Sequence, residues 1–479
     1  MSLRKKSISS FFWAALEQMG NQTISLVVSI ILARILLPKD FGLIGMILIF
    51  MAIGKAIIDS GLSQSLIRSK KVTNVDFSTV FFFNVSLSFI LYGALFFLAP
   101  LVSQFYEEPI LTSIIRWYSL VFILTALGSI QQTRFIKTLR FKVFFKIAFP
   151  SILLGGGIGV FMALNDFGVW SLVASAVSQA FFNTVFLWIF SNWRPRLVFS
   201  LAQFKKHFNY GYKLTMSSII DVGYRNIYAV LIGKYYSARE LGYYNRADTL
   251  QQLPVANIGA ILTKVTFPVF AKVQDDNVKL KYAIKLIIKS VTTVLAPLLL
   301  LAAALGEPLF RFILTEKWLP AVPYFQILCW AGILYPLNAN NLNLLKVKGR
   351  SDLFLRLEII KKGLGLLLIF IAFPYGIKAL LYTMVVNSVI SFFINSNFTK
   401  KFINYSSFEQ LGDILPLIVQ AAIVAFLVYV ADTNFQHYIN SDVLRILLWG
   451  TAGTLMYVAT LQIFQKSFIK QAISFFKNQ

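Results

Sequence analysis

Cysteine occurs once, at Cys329 inside an apolar run, which excludes a disulfide framework and a cysteine-rich metal cluster. Histidine occurs twice, at His207 and His437, and neither has a Cys or His neighbour at ligand spacing. Both read as ordinary solvated side chains. Acidic residues are scarce, 20 against 45 Lys and Arg, and all charged residues together make up 14% of the 479 positions. Soluble domains carry roughly 25%. G-x-S-x-G, P-loop, H-E-x-x-H and Asp-rich metal motifs are missing, and no connection between apolar runs is long enough for a catalytic or nucleotide-binding domain. These absences argue against an enzyme, a metalloprotein and a transporter with its own ATPase. No cofactor is expected.

What fills the chain is hydrocarbon: 57% of residues are hydrophobic and the mean hydropathy is +0.70. Apolar runs recur about every 25–35 residues, each long enough for the roughly 20 residues a helix needs to cross a bilayer. The pattern predicts an all-α polytopic membrane protein with about 14 spans: 11–36, 41–63, 77–101, 110–134, 143–164, 167–191, 209–234, 240–270, 280–304, 319–345, 352–373, 375–398, 411–431 and 442–465. The start, "MSLRKKSISSFFWAALEQMG", imitates a signal peptide, but the apolar run continues without a cleavage motif and reads as an uncleaved first span.

The net charge of +25 raises the question of nucleic acid, and its distribution answers it. One alternate set of connections carries the lysine and arginine clusters, among them "RSKK", "RFIKTLRFKVFFK", "NWRPRLVFSLAQFKKH" and "KVKGR". The other set, with "LPKD", "YEEP", "SARE" and "TEKW", carries only about three basic residues. That alternation is the positive-inside pattern, and it predicts an even number of spans with both termini in the cytoplasm. The charge is membrane anchoring, so no nucleic-acid partner is expected.

Three ordered matches at an offset near 200 suggest an internal repeat. "LARILLPKDFGLIGM" parallels "LIGKYYSARELGYYN", aligning Gly42 with Gly242; "NDFGVWSLV" parallels "FPYGIKALL"; and "YEEPILTSIIRWYSLVFILTAL" parallels "TEKWLPAVPYFQILCWAGILYPL". The alternative is that any two turns on that side of a membrane use Gly and acids. Read as duplication, the pattern predicts two pseudo-symmetric six-helix lobes, 1–200 and 201–402, around a central cavity, with two additional helices in 403–479. Equal orientation of the lobes suits alternating access about a midplane site. Pro254 and "YPLNANN" are expected to interrupt helices there.

"GNQTISLVVSIILARILLPKDFGLIGMILIF", "IDSGLSQSLIRSKK" and "QQTRFIKTLRFK" resemble the polysaccharide transporters of the multidrug/oligosaccharidyl-lipid/polysaccharide exporter superfamily. The likeness is to Wzx-type lipid-linked oligosaccharide flippases of the WzxC-like branch, and it runs through roughly residues 8–400. It implies a V-shaped two-lobe fold in the bacterial inner membrane and transport of undecaprenyl-diphosphate-linked oligosaccharide repeat units for surface polysaccharide, lipopolysaccharide included. It also implies contact with membrane lipids and work alongside polysaccharide polymerase or export proteins.

Polar residues near mid-membrane are the candidate site, because such groups are expensive there. Arg225, Arg246, Lys361, Lys362, Asn21 and Gln251 are candidates for the diphosphate and sugars; Glu17, Asp221 and Asp248 are candidates for ion coupling. Arginine presents a fork of donors matched to phosphate oxygens. Asp221 and Arg225 stand at i,i+4 and can pair on one helix face, as can Glu358 with Lys361 and Lys362. Arg246 and Asp248 lie about 200° apart around a helix and cannot satisfy each other. The Asp221–Arg225 pair is either a neutralised structural pair or a phosphate receptor, and both readings stand. Rival functions are a cation-coupled multidrug exporter of the same fold, which predicts an acid-dominated pocket, and a membrane glycosyltransferase, for which a catalytic loop is missing.

Overall fold

The computed structural model describes residues 20–59, 61–468 and 471. Among them every regular element is helical. In chain order these are α1 (Gly20–Ile35), α2 (Pro38–Asp59), α3 (Leu62–Arg68), α4 (Asn74–Tyr106), α5 (Ile110–Tyr118), α6 (Leu120–Lys137), α7 (Phe141–Leu164), α8 (Val169–Phe190), α9 (Leu201–Arg225) and α10 (Ile227–Tyr235). There follow α11 (Ala238–Lys272), α12 (Asn277–Ala304), α13 (Gly306–Leu314), a 3-10 turn at Glu316–Ala321, α14 (Val322–Ile333), α15 (Tyr335–Val347), α16 (Ser351–Ala372), a second 3-10 turn at Phe373–Tyr375, α17 (Ile377–Ile403), α18 (Ser407–Phe435) and α19 (Asp442–Phe464).

Ten helical stretches among the described residues are long and apolar enough to cross a membrane. They contain α2, α4, α5–α6, α7, α8, α12, α14–α15, α17, α18 and α19. The other expected spans fall on α1, α9–α10, α11 and α16. The described part of α1 is short, and the rest carry Lys, Arg, Asp and Glu within their length. The chain is a multi-pass membrane protein.

Several boundaries differ from those expected. The span over 110–134 is two helices meeting at Ser119, and the connection expected over 192–208 is shorter, because α9 starts at Leu201 with Ser200 Oγ accepting the Gln203 amide at 3.4 Å. Pro254 does not interrupt its helix; α11 runs through it. A proline removes one helical donor without ending a helix whose neighbours hold it in place. The "YPLNANN" stretch does mark a break, at Leu334, and Pro336 falls in the first turn of α15, where an N–H has no helical acceptor.

The contacts divide the chain into two compact units, Met1–Gly242 and Tyr243–Gln479. In the first, α7 and α8 are the most intimately packed pair; at Gly155 and Gly159 a Cβ would stand 2.6 Å from Gln179 and Ser175 of α8. Phe77, Phe81, Leu62, Leu66, Ile130 and Trp193 close a core between α3, α4 and α6. Helix α9 packs on α2, α3 and α4.

The two glycines aligned at the offset near 200 meet in this unit. A Cβ on Gly42 would lie 1.5 Å from the Ala238 carbonyl oxygen, and one on Gly242 would lie 2.0 Å from the Pro38 carbonyl oxygen. Pro38–Gly42 and Ala238–Gly242 are 200 positions apart, and each touches the other through the same atoms. Reciprocal contact of this kind is the signature of a local two-fold relation. Side chains on either helix would prevent it.

In the second unit α12 is the central helix, packed on α14 and α18, with α15 and α16 against α17. Its core joins Phe270, Leu280, Ile284, Leu337, Leu344, Phe392, Tyr405 and Ile414. Amides knit the helices together: Asn341 Nδ2 donates to Gln410 Oε1 at 2.9 Å, Thr399 Oγ1 donates to Asn341 Oδ1 at 2.7 Å, and Asn395 Nδ2 donates to Asn338 Oδ1 at 2.9 Å. Arg445 and Asp432 form a buried two-bonded pair at 2.8 and 2.6 Å that fastens α19 to α18.

Candidate functional site

Four residues of α11, Asp248, Gln251, Gln252 and Val255, follow i, i+3, i+4, i+7 spacing and so share one helix face. They form one wall of a cavity of about 160 Å³. Leu328, Ala331 and Gly332 of α14, Tyr335 and Asn338 of α15, and Met384 and Ser388 of α17 complete it. All of these residues belong to the second unit.

The polar groups of the cavity are held in place. The Gln252 side chain, one turn on, hydrogen-bonds the Asp248 carboxylate. Asn338 Nδ2 donates to the Ser388 carbonyl oxygen at 3.2 Å, and Ser388 Oγ donates to the Ala331 carbonyl oxygen at 3.3 Å. Gln251 is buried, its amide nitrogen lying where a Cβ on Gly332 would be, 2.1 Å away. Glycine at 332 is therefore what lets that amide reach the cavity. No lining residue is basic. Among the described residues no cluster of His, Cys, Asp and Glu could hold a metal ion.

The other expected site residues are distributed as follows. Arg225 Nε binds Asp221 Oδ2 at 2.8 Å across one turn of α9, with the two side chains 75% and 42% exposed. Arg225 closes α9, where a cation favours the helix dipole. Arg246 is buried, with its guanidinium 5.6 Å from the ring centre of the buried Trp318, and it is not among the residues that line the cavity with Asp248. Lys361 is buried and paired with Glu358 on α16, and Lys362 beside it is half-buried. Asn21 is half-buried on α1; Glu17 lies outside the described residues. Asp248 and Gln251 are thus the two expected residues that one cavity brings together.

The reading of His207 as a solvated loop residue is wrong. It is fully buried on α9, with Nε2 2.9 Å from Asp76 Oδ1 and Nδ1 2.8 Å from Ser65 Oγ. Asp76 also closes the N-terminal capping box of α4 with Thr73, its Oδ2 accepting the Thr73 amide at 2.8 Å. One imidazole therefore ties α3, α4 and α9. The neighbouring "FKK" and "NYGYK" suggested an exposed segment, and nothing in local spacing points to partners 131 and 142 positions away.

The sequence model of a family described as polysaccharide biosynthesis protein matches residues 31–323, more than half of the chain. The lipopolysaccharide biosynthesis protein WzxC of Escherichia coli (strain K12) is 28% identical over 82% of this chain and 82% of its own. The teichuronic acid biosynthesis protein TuaB of Bacillus subtilis (strain 168) is 26% identical over 96% of both. The succinoglycan biosynthesis transport protein ExoT of Rhizobium meliloti (strain 1021) is 24% identical over 96% of this chain and 94% of its own. Among solved structures, the lipid II flippase MurJ in an inward closed conformation superposes with a TM-score of 0.76 at 13% identity, covering 95% of this chain and 99% of that one. An inward-facing multidrug resistance transporter of the MATE family gives 0.60 at 14% identity, covering 82% and 98%. The expected fold class is therefore observed: the chain shares the all-helical fold of those transporters.

Proposed function

The chain belongs to the polysaccharide biosynthesis protein family, and from that premise we propose that it is a flippase carrying lipid-linked oligosaccharide repeat units across the bacterial inner membrane for surface polysaccharide assembly. The observation that carries the reading is where the expected site residues fall. Every expected site residue in the described part lies on α1, α9, α11 or α16, and none lies on the ten strongly apolar stretches. A glycan head group cannot cross hydrocarbon unaided, because each buried hydroxyl without a partner costs several kcal/mol in an apolar medium, roughly 4–8 on the cyclohexane scale. Helices that keep amides and charges within the bilayer supply those partners while the prenyl tail remains in lipid. Two like-oriented lobes, meeting near residue 200, would expose the head group first to the cytoplasm and then to the other side.

Arg225 and Lys362 are the proposed diphosphate contacts, and Asp221, which now neutralises Arg225, would exchange its partner for phosphate as the substrate enters. Asp248 and Gln251 are assigned to the sugars. The relatives' names describe biosynthesis and transport, and the chain is accordingly proposed to do no covalent chemistry. Both termini are proposed to lie in the cytoplasm, on the side of the basic connections.

Deleting the gene in its host and analysing lipid-linked intermediates tests this. The reading requires complete repeat units to accumulate on the cytoplasmic leaflet. Continued delivery of repeat units to the outer leaflet, in a strain without a second transporter of this family, would overturn it. The multidrug alternative has one observation in its favour, the carboxylate without a basic residue in the lining of the α11 cavity, and predicts that the deletion sensitises cells to apolar cations and leaves the glycan unaffected.

A further inference from the structure

The α11 cavity holds a composition that selects among sugars. At about 160 Å³ it is smaller than the roughly 300–1,000 Å³ of pockets that enclose drug-sized ligands, so it takes one ring and not a chain of them. Its polar groups are a carboxylate, amides and the Ser388 hydroxyl, and its apolar ones are Val255, Leu328, Ala331 and Met384, with the Tyr335 ring also in the lining. A pyranose ring presents that division: hydroxyls around its edge, C–H bonds on its faces. Carboxylate oxygens accept two hydroxyl protons, and amides both donate and accept. The walls are fixed beforehand by the Gln252–Asp248, Asn338–Ser388 and Ser388–Ala331 bonds, which lowers the ordering cost of binding.

Charge sets the selectivity. Asp248 is the single carboxylate of the lining and no lysine or arginine accompanies it; Arg246 sits elsewhere on the helix against Trp318. We propose that the cavity between α11, α14, α15 and α17 is a subsite for one neutral or amino-bearing sugar ring of the glycan, with Asp248 as the residue that excludes sugar carboxylates and phosphate. The assignment rests on the flippase reading for its biological substrate, but binding at the cavity is measurable without transport. A protonated amino group gains a charge-assisted bond to Asp248, whereas a uronate meets a like charge.

The experiment is saturation-transfer difference NMR on the purified protein in lipid nanodiscs with methyl glucoside, methyl glucosaminide and methyl glucuronide. Wild type should saturate the glucosaminide and the glucoside, and the glucuronide about tenfold less or weaker, the discrimination of one uncompensated like-charge contact. Asp248→Asn, nearly isosteric, should abolish the ranking and bring the three glycosides together. Gly332→Ala, which drives a methyl group into the Gln251 amide, should weaken all three alike. A glucuronide signal equal to that of the glucoside in wild type would overturn the proposal, as would an unchanged ranking in Asp248→Asn. So would saturation of none of the glycosides, or of ethidium alone. Transport is scored separately by complementing the deletion strain: loss of sugar selectivity with transport intact removes the subsite, and selective binding without lipid-linked transport removes the flippase reading.

Discussion

Replacing Gly42 with alanine sets two effects of opposite sign against each other. Within a helix, alanine is favoured over glycine by up to about 1 kcal/mol, so propensity alone predicts a more stable protein. Packing predicts the reverse. The new Cβ would stand 1.5 Å from the Ala238 carbonyl oxygen, and ordinary contact begins at 3.4 Å, so two backbones must part by about 2 Å. Gly242→Ala is the mirror-related case, starting from 2.0 Å to the Pro38 carbonyl oxygen. Overpacking against side chains that can rotate costs about 1–3 kcal/mol, and a carbonyl in a helix cannot rotate away, which puts these substitutions at or beyond the upper end. Because both variants relieve themselves by the same separation, the double variant should cost less than the sum. Gly93→Ala in α4 is the control, since its Cβ would have nothing within 4 Å and propensity should win. The lone Cys329 is fully buried, so a thiol-reactive dye reports unfolding directly. Lower Tm values for Gly42→Ala and Gly242→Ala beside an unchanged or higher one for Gly93→Ala are expected. If all three behave alike, the reciprocal crossing is not a feature of the folded protein.

Arg445→Ala should destabilise by roughly 3–5 kcal/mol, since it strands the buried Asp432 carboxylate, whereas the double variant Asp432→Leu/Arg445→Met should recover most of that loss in the same thermal assay. His207→Ala should cost about 1–3 kcal/mol by removing the partner of two buried groups, and His207→Phe, of similar volume, should not restore it. Asp276, outside the spans, caps α12 by accepting the Lys279 and Val278 amides at 3.0 and 3.1 Å, and those bonds hold its carboxyl below the usual range. Its contribution is therefore complete at neutral pH and disappears as pH falls through that lowered value; Asp276→Asn should keep the cap through that fall and flatten the acid side of the stability profile.

Ten of the expected spans were legible because each holds a continuous apolar run, whereas those over α1, α9–α10, α11 and α16 are not matched by a stretch of that length and apolarity among the described residues. Gly42 and Gly242 were aligned by their neighbours, and the two glycines prove to lie against each other's segments. Their contact itself was not legible, since an offset of 200 says that two segments are alike and not that they meet. Helix breaks were read less well. Ser119 divides α5 from α6 without any glycine or proline to mark it, and Pro254, which looked like a break, lies within a continuous helix. Of the candidate site, spacing paired Asp221 with Arg225 and Glu358 with Lys361. Which of these shares a cavity with Gln251, and that Gly332 makes room for it, depends on packing between helices some 80 residues apart. Periodicity along one helix carries no such information. The same holds for His207, whose partners sit on two other helices.

The most direct measurement of the central claim is translocation by the purified protein alone. Proteoliposomes would carry an undecaprenyl-diphosphate-linked oligosaccharide in the outer leaflet, with lectin accessibility followed over time. The account predicts protein-dependent loss of lectin access to about half, its near-absence in Asp221→Ala/Arg225→Ala, and no effect of ATP. Lectin access that stays at the level of protein-free liposomes under every imposed ion gradient would contradict it.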